Sequence, residues 1–245
     1  MFVSVLIVSP NKLRINFRDI WWFLCTGILC ILLSSTLYFV SIPLTTSAIA
    51  NVLMYTSPIW ILIFSIIFFK EKISLSKIIS LCLAVLGCTF ATGIIASGNL
   101  KFSALGTITG ILSGLFYGLY SIFGKFVLKK YDSVTVTLYT VLFAGLGSIF
   151  IINIPQTMCH IVDTSSYIPI LLIVALVTIA PYTFYTIGLK HCKATRASII
   201  SCVEPMTSAI LGTFVLHEPF TVFQLMGIIM ILCAGFILQI KKDSI

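Results

Sequence analysis

Eight long apolar segments divide this sequence, and their number and length leave little choice of fold. A helix that crosses a bilayer needs about 20 mostly apolar residues, and each segment is close to that length. The segments are 20–42, 47–69, 78–96, 103–126, 134–154, 168–189, 197–216 and 222–240. Only 9% of the 245 residues are charged, whereas an ordinary soluble domain has about 25%. The sequence therefore predicts an all-α integral membrane protein built as a multi-pass helical bundle.

The basic residues are concentrated in every second connection between these segments. From the N-terminal arm to the C-terminal tail, the connections hold 3, 0, 3, 1, 3, 0, 3, 0 and 2 Lys or Arg. The third of them, for example, contains Lys70, Lys72 and Lys77. Because basic loops stay on the cytoplasmic side, both chain ends are predicted to be cytoplasmic, with the helices in the cell membrane. The same pattern accounts for the net charge of +8 without nucleic acid as a partner.

The two halves of the sequence repeat each other at a shift of 147 residues. Without a gap, this shift superimposes a tyrosine, a proline and a glutamate of each half. The pairs are Tyr38 with Tyr185, Pro58 with Pro205, and Glu71 with Glu218. The loops that correspond lie on opposite predicted sides of the membrane, so the halves are inverted, as in many secondary transporters. We predict a first repeat over residues 1–98 and a second, with five helices, over 99–245.

The repeat also predicts that the first half is incomplete at its N-terminus. Shifted back, the second repeat would begin roughly 46 residues before Met1. We therefore expect about eight full transmembrane helices here, where a complete relative has ten. A truncated chain, a late start codon and a genuine eight-helix variant all remain open.

Two long stretches carry a family resemblance. TTSAIANVLMYTSPIWILIFSIIFFKEKISLSKIISLCLAVLGCTFATG and KATRASIISCVEPMTSAILGTFVLHEPFTVFQLMGIIMILCAGFIL each resemble the second part of an EamA domain of the drug/metabolite transporter superfamily. GTITGILSGLFYGLYSIFGKFVLKKY is similar to that family's sixth helix. The resemblance implies a ten-helix carrier of small metabolites. We expect the sequence to depart from the family by lacking the first one to two helices, namely the first and most of the second, which line the pathway in relatives.

Glu204 is the first candidate for the transport pathway. An ionisable side chain at mid-helix costs about 2.5–3.5 kcal/mol on insertion scales, so it normally faces the bundle interior or a water-filled cavity. Ser201 and Glu204 share a helical face of small or polar residues. The carboxylate is interpreted as binding a cationic part of the substrate or carrying a coupled proton. A protonated Glu204 bonded to a neighbouring helix is the structural alternative.

Two prolines are predicted to kink their helices at equivalent positions. Pro58 and Pro205 remove a helix N–H and free the carbonyl groups of Met54 and Ser201. Two matched kinks suit alternating access about a midplane site. Ordinary kinked packing is the alternative. The residue before Pro58 is Ser57, so only the second half combines the proline with a carboxylate.

Further polar and aromatic residues are secondary candidates for the pathway. Asn51 could orient a polar substrate group or bond to another helix. The tyrosines could line the cavity, or they could belong to interfacial belts and lipid-facing surfaces. They are Tyr38, Tyr55, Tyr117 and Tyr185.

One helix carries four glycines at four-residue intervals, which predicts close helix packing. They are Gly106, Gly110, Gly114 and Gly118. Glu71 is expected to pair with Lys70 or Lys72, or to cap the next helix. No cofactor, metal site or catalytic set is predicted, so the protein is not expected to be an enzyme.

These features favour a secondary transporter, predicted to export metabolites, amino acids or drug-like amphiphiles. The alternative is a truncated, non-transporting membrane remnant or accessory scaffold of the same family. Proton coupling and assembly into a homodimer stay open.

Overall fold

The computed structural model describes residues 15–94, 103–151, 172, 174–216 and 220–240. Within these ranges the chain forms eight helices and no strand, as the sequence predicts. In chain order they are α1 (Phe17–Leu44), α2 (Ser47–Phe69), α3 (Leu75–Ala91), α4 (Ala104–Leu128), α5 (Ser133–Ser148), α6 (174–191), α7 (194–216) and α8 (Val222–Ile240).

Four of these helices are long and apolar enough to cross a membrane. They are α1, α2, α4 and the Ala194–Val215 part of α7, while α3, α5 and Val222–Leu238 are shorter apolar helices. The large side chains left uncovered are apolar, with Phe184 73% exposed and Phe214 77% exposed. Such a surface suits lipid rather than water. The protein is therefore a multi-pass membrane protein.

Several helices contain irregular turns. Residues Cys25–Leu32 of α1 and Val174–Ile179 of α6 are π-helical. Helix α2 consists of Ser47–Met54 and Ser57–Phe69, and α7 consists of Ala194–Ser201 and Val203–Leu216. Irregular backbone inside a helix frees carbonyl groups, so it usually marks a functional or strained place.

The helices recur at the same 147-residue shift as the sequence. The shift moves the bounds of α2 onto those of α7. It also moves Leu32, the last residue of the π-helical part of α1, onto Ile179, the last residue of the π-helical part of α6. It also moves the start of α3, at Leu75, onto the start of α8, at Val222. Equivalent residues therefore build equivalent local structure, including its irregular turns.

Helix α3 differs most clearly from its predicted bounds. It begins at Leu75 instead of residue 78, because the Ser74 hydroxyl caps it by accepting a hydrogen bond from the Lys77 N–H. It ends at Ala91, since Gly93 adopts a left-handed conformation with φ of 69°, which glycine tolerates best. The predicted end at residue 96 lies outside the described residues, as do residues 152–154 of the fifth predicted segment.

The described helices pack into two compact units that do not follow the order of the chain. The first comprises Met1–Leu33 and Phe123–Cys192, and the second Ser34–Ile122 and Lys193–Ile245. These are units of packing, whereas the predicted boundary between residues 98 and 99 is a boundary of sequence repeats. That boundary stays a prediction.

Buried hydroxyl pairs join the helices of the first unit. Thr26 of α1 bonds to Thr140 of α5 at 3.0 Å between oxygens, and Thr137 of α5 bonds to Thr186 of α6 at 2.8 Å. All four threonines are fully buried. Helices surrounded by lipid gain little from apolar contact with each other, so such hydrogen bonds help to define which faces meet.

Small residues allow α3 and α8 to lie very close together in the second unit. A methyl group built on Gly227 would lie 2.5 Å from the Ala91 nitrogen and 2.6 Å from the Gly87 carbonyl oxygen. Neither backbone atom can move aside as a flexible side chain would. The contact therefore requires glycine at position 227.

We predict that Gly227→Ala lowers the stability of the detergent-solubilised protein by about 1–3 kcal/mol, the usual cost of forcing a methyl group into a packed site. Gly235→Ala on the same helix is the matched control, because no atom lies within 4 Å of its added methyl group. The measurement is the thermal unfolding midpoint of both variants. Equal midpoints would contradict the close approach of α3 and α8.

Candidate functional site

The break in α7 determines where Glu204 lies. The first part of the helix ends at Ser201, and the Cys202 N–H turns back to the Ile199 carbonyl at 3.3 Å. The second part restarts at Val203, which places Glu204 in its first turn. A carboxylate in the first turn of a helix lies at the positive end of the helix dipole. The break thus places Glu204 at a helix N-terminus inside an apolar segment.

The side chain of Glu204 is accessible, and its carboxyl has no hydrogen bond or ion pair among the described residues. Protein atoms nevertheless shield it partly from solvent. The three other acidic residues in the described ranges all have partners. Asp19 contacts Lys130 and Tyr131, Asp132 contacts Lys190, and Glu71 contacts Lys77 and Thr195.

Two tyrosines lie near this carboxyl. Electrostatic interactions connect Glu204 with the hydroxyl groups of Tyr38 and Tyr55, and also with the Cys88 thiol. The Tyr38 hydroxyl donates a hydrogen bond to Asn51 Oδ1 at 2.8 Å. This bond joins α1 to α2 and fixes the direction of the Tyr38 hydroxyl. Four of the sequence candidates are thus brought together in the second unit.

The remaining pathway candidates are placed differently. Ser201 donates its hydroxyl hydrogen to the Ser198 carbonyl at 2.8 Å, which leaves its oxygen lone pairs as acceptors. Tyr117 is half-buried on α4, in the same unit as Glu204. Tyr185 is half-buried on α6 and belongs to the other unit. The structure therefore does not group Tyr185 with Glu204.

The break in α2 corresponds to that in α7. Helix Ser47–Met54 ends in a turn in which the Thr56 N–H bonds to the Leu53 carbonyl at 3.2 Å. Pro58 is buried in the first turn of the second part. A methyl group on Gly114 would lie 3.0 Å from the carbonyl oxygens of Leu53 and Met54. The Met54 carbonyl that the proline frees is thus covered by the backbone of α4.

All four glycines of α4 are buried along this side of the helix. Gly106 faces Leu44 and Thr45, Gly110 faces Ser41 and Leu53, Gly114 faces the turn in α2, and Gly118 faces Ser57. Gly106 also accepts a hydrogen bond on its carbonyl from the Ser41 hydroxyl at 2.8 Å. The glycine stripe therefore lies against the end of α1 and the broken part of α2.

Paired charges at the helix ends belong to the structural frame. The Asp19 carboxylate beside Lys130 raises the pKa of that amine through their hydrogen bond. Partial burial, followed by the hydrogen bond to Asp19, raises the pKa of the neighbouring Tyr131. Lys190 and Asp132 are 3.1 Å apart. Since these groups satisfy one another, they offer no open binding site.

The pairing expected for Glu71 was wrong. Glu71 lies 3.6 Å from Lys77, not beside Lys70 or Lys72, and its carboxylate also accepts a hydrogen bond from Thr195 at 3.1 Å. Lys77 is predicted to lie in the connection between two apolar segments, whereas in the structure it is buried in the first turn of α3. Recognition of Ser74 as the helix cap would have placed Lys77 in that turn. No sequence signal pointed to Thr195.

No group of three or more His, Cys, Asp or Glu that could hold a metal ion occurs in the ranges that the structure describes. The arrangement around Glu204 offers an accessible carboxyl, two phenol groups and an amide. Such a group of acceptors and aromatic rings is suited to bind a cation rather than to perform covalent chemistry.

The Tyr38–Asn51 bond can be tested by a double-mutant cycle. We predict that Tyr38→Phe and Asn51→Leu show a coupling energy of about 0.6 kcal/mol, the average for hydrogen bonds between membrane helices. Each single variant removes the same bond, so the double variant should lose less than the sum of the two. Unfolding in mixed micelles measures the four free energies. Additive losses would contradict the bond.

Comparison with known proteins adds the family. Two relatives are each named only as an uncharacterized transporter. The one from Archaeoglobus fulgidus is 27% identical over 200 residues, which cover 82% of this chain and 70% of the relative. The one from Synechocystis sp. is 25% identical over 245 residues, which cover 97% and 72%. A crystal structure with 19% identity matches the fold with a TM-score of 0.75, covering 99% of this chain and 84% of that one.

The EamA-like transporter family matches residues 1–93 and again residues 104–239. These two matches include both broken helices and the helices that follow them. The chain therefore belongs to the EamA-like transporter family.

Proposed function

We propose that the protein is a secondary transporter that exports small metabolites, amino acids or drug-like amphiphiles by alternating access, with Glu204 as the anchor for a cationic group of the substrate. The observation that carries this proposal is the isolation of Glu204. It is the acidic residue whose carboxyl has no hydrogen-bonded or ionic partner in the described ranges, and its side chain is accessible.

An unpaired carboxylate within an apolar helix is costly, and it is normally kept only where it has a function. A partner from outside the protein would remove this cost. A substrate cation would supply that partner directly, and a coupled proton would do so by neutralising the carboxyl. Among the described residues, two phenols and a thiol interact electrostatically with Glu204, and no basic side chain is one of these groups. An anionic substrate group is therefore disfavoured at this site.

The two matched breaks support alternating access. Each begins after an eight-residue helix, Ser47–Met54 in α2 and Ala194–Ser201 in α7. Broken helices at equivalent positions of two repeats are typical of transporter binding sites near the bilayer midplane. Asn51, Tyr55 and Ser201 lie within one turn of the breaks. We assign them, with Tyr38, to the substrate pathway. Tyr117 and Tyr185 stay secondary candidates.

Orientation in the membrane is part of the proposal. The basic connections and the C-terminus are assigned to the cytoplasmic side of the cell membrane by their Lys and Arg content. Proton coupling and a homodimer are compatible with this arrangement, and the experiments below address the first of them.

The proposal predicts that organic cations protect the purified protein from thermal unfolding. Choline, tetraethylammonium and an amino acid amide serve as probes, with succinate as the anionic control. We expect a concentration-dependent rise of the unfolding midpoint with at least one cation, because a ligand that binds only the folded state stabilises it. The rise should be lost in Glu204→Gln and kept in Asp132→Asn, whose carboxylate is paired at a helix end. Protection by succinate alone would contradict the proposal.

Transport is tested in proteoliposomes with a cation found by this screen. Glu204→Gln should lower the initial rate by at least about tenfold, because a charge-assisted contact contributes more than 1.4 kcal/mol. Asp132→Asn should transport like the wild type. A wild-type protein that binds the cation without moving it would favour the scaffold alternative.

Proton coupling has its own readout in the same vesicles. If Glu204 carries the proton, an imposed pH gradient should drive wild-type transport, and residual transport by Glu204→Gln should lose its dependence on pH. An unchanged pH dependence in the variant would exclude Glu204 as the coupling group while leaving its role in cation binding intact.

A further inference from the structure

A buried polar cluster lies at the end of the second unit where α2 connects to α3. It consists of Glu71, Lys77 and Thr195. The side chains of Lys77 and Glu71 are only 4% and 7% exposed, and Thr195 is fully buried. The Lys77 amine also donates to the Lys72 carbonyl at 2.9 Å. Burial of an ion pair is costly unless its geometry is well satisfied, so this cluster is a specific arrangement rather than a chance surface contact.

The three residues have different roles in the cluster. Glu71 and Lys77 belong to the same helical hairpin, so their ion pair holds the carboxylate in place without joining distant parts of the chain. The hydrogen bond from the Thr195 hydroxyl to Glu71 reaches another helix, across 124 positions of sequence. Lys77 is therefore a positioning residue for the bond between Thr195 and Glu71.

Thr195 lies at the far end of the short helix that precedes the break in α7. This helix, Ala194–Ser201, ends at the turn of Cys202, two residues before Glu204. Arg196 adds a second tie by donating to the Leu238 carbonyl at 2.7 Å. The short helix is thus fixed by polar contacts at one end and joined to the Glu204 turn at the other. Movement of this helix away from the α2–α3 connection requires the bond between Thr195 and Glu71 to break.

The sequence repeat does not contain a second copy of these three residue types. The 147-residue shift takes Glu71 to Glu218, Lys77 to Gln224 and Thr195 to Ala48. The equivalent trio therefore has neither the cation nor the hydroxyl. Gln224 instead accepts a hydrogen bond from the N–H of Thr221, at the start of α8. A carrier with symmetric contacts would form the same hydrogen bond at both ends of the helical bundle. In this sequence, the residues that form the bond between Thr195 and Glu71 occur at the end with the basic loops.

We propose that Glu71, Lys77 and Thr195 form a one-sided latch that keeps the short helix Ala194–Ser201 closed against the α2–α3 connection at the cytoplasmic end. Release of the bond between Thr195 and Glu71 lets this helix pivot about the break at Cys202 and opens the cytoplasmic end of the pathway. The meaning of this opening as a transport step rests on the carrier function proposed above. The latch itself is a property of the protein without substrate.

The test measures how often the short helix opens. Ser198→Cys places a reporter at a position that is 1% exposed in the described conformation. Full-length protein in oriented membrane vesicles is treated with a membrane-impermeant maleimide, and mass spectrometry of peptides quantifies the label at position 198. Fragment-ion spectra assign the label to position 198 and separate it from the native Cys202, which lies four residues away.

Thr195→Val removes the hydroxyl and keeps the side-chain shape, whereas Thr195→Ser keeps the hydroxyl as the matched control. We expect Thr195→Val to increase labelling at position 198 from the cytoplasmic side by about tenfold, the effect of losing a hydrogen bond to a charged group. Thr195→Ser should label like the parent. Lys77→Met should also increase labelling, because Glu71 loses the group that positions it.

The opposite membrane side provides the control for general unfolding. Labelling from outside should not rise in Thr195→Val, and the protein should remain monodisperse in detergent with an unfolding midpoint close to that of Thr195→Ser. Equal labelling in Thr195→Val and Thr195→Ser would overturn the latch. A rise on both membrane sides would likewise overturn it, since it would indicate local unfolding. Neither readout needs a substrate, so failure of the latch and failure of the transport proposal are separable.

Discussion

The absence of water around most of this chain is the constraint on which the structure depends. In lipid, a backbone carbonyl without its helical partner is tolerated only where protein or a cavity covers it. Pro58 and Pro205 each free such a carbonyl, and both helices break nearby. Glycine at position 114 lets α4 cover the freed group of Met54. The glycine stripe and the broken helix therefore form one structural solution.

The same constraint applies to charges and explains why Glu204 differs from the rest. Asp19, Asp132 and Glu71 are all satisfied by basic or hydroxyl groups near helix ends. Glu204 lies at a break within an apolar helix, and its carboxyl has no hydrogen-bonded or ionic partner in the part of the chain that the structure describes. Isolation of this kind is expected at a site that receives its partner from elsewhere. Glu71, by contrast, has its partners within the protein, in Lys77 and Thr195.

Particular residues show how much of the structure could be predicted from the sequence. The apolar segments predicted the helices, and the 147-residue shift predicted that the proline kinks would recur, because both depend on local periodicity and on proline. The pairing of Glu71 could not be predicted in the same way. Its partner Lys77 is six residues away, within a helix that starts at a hydroxyl cap, and Thr195 approaches from a distant part of the chain.

The sequence by itself determined the membrane class, the number of helices in the described ranges, the internal repeat and the identity of Glu204 as an unusual residue. These properties depend on composition and on spacings of a few residues. Tertiary structure alone decided that Tyr38 bonds to Asn51, that Glu204 interacts electrostatically with Tyr38 and Tyr55, and that Thr195 bonds to Glu71. Such contacts are determined by which helix faces meet, and in lipid those faces are selected by close packing and hydrogen bonds that hydropathy does not record.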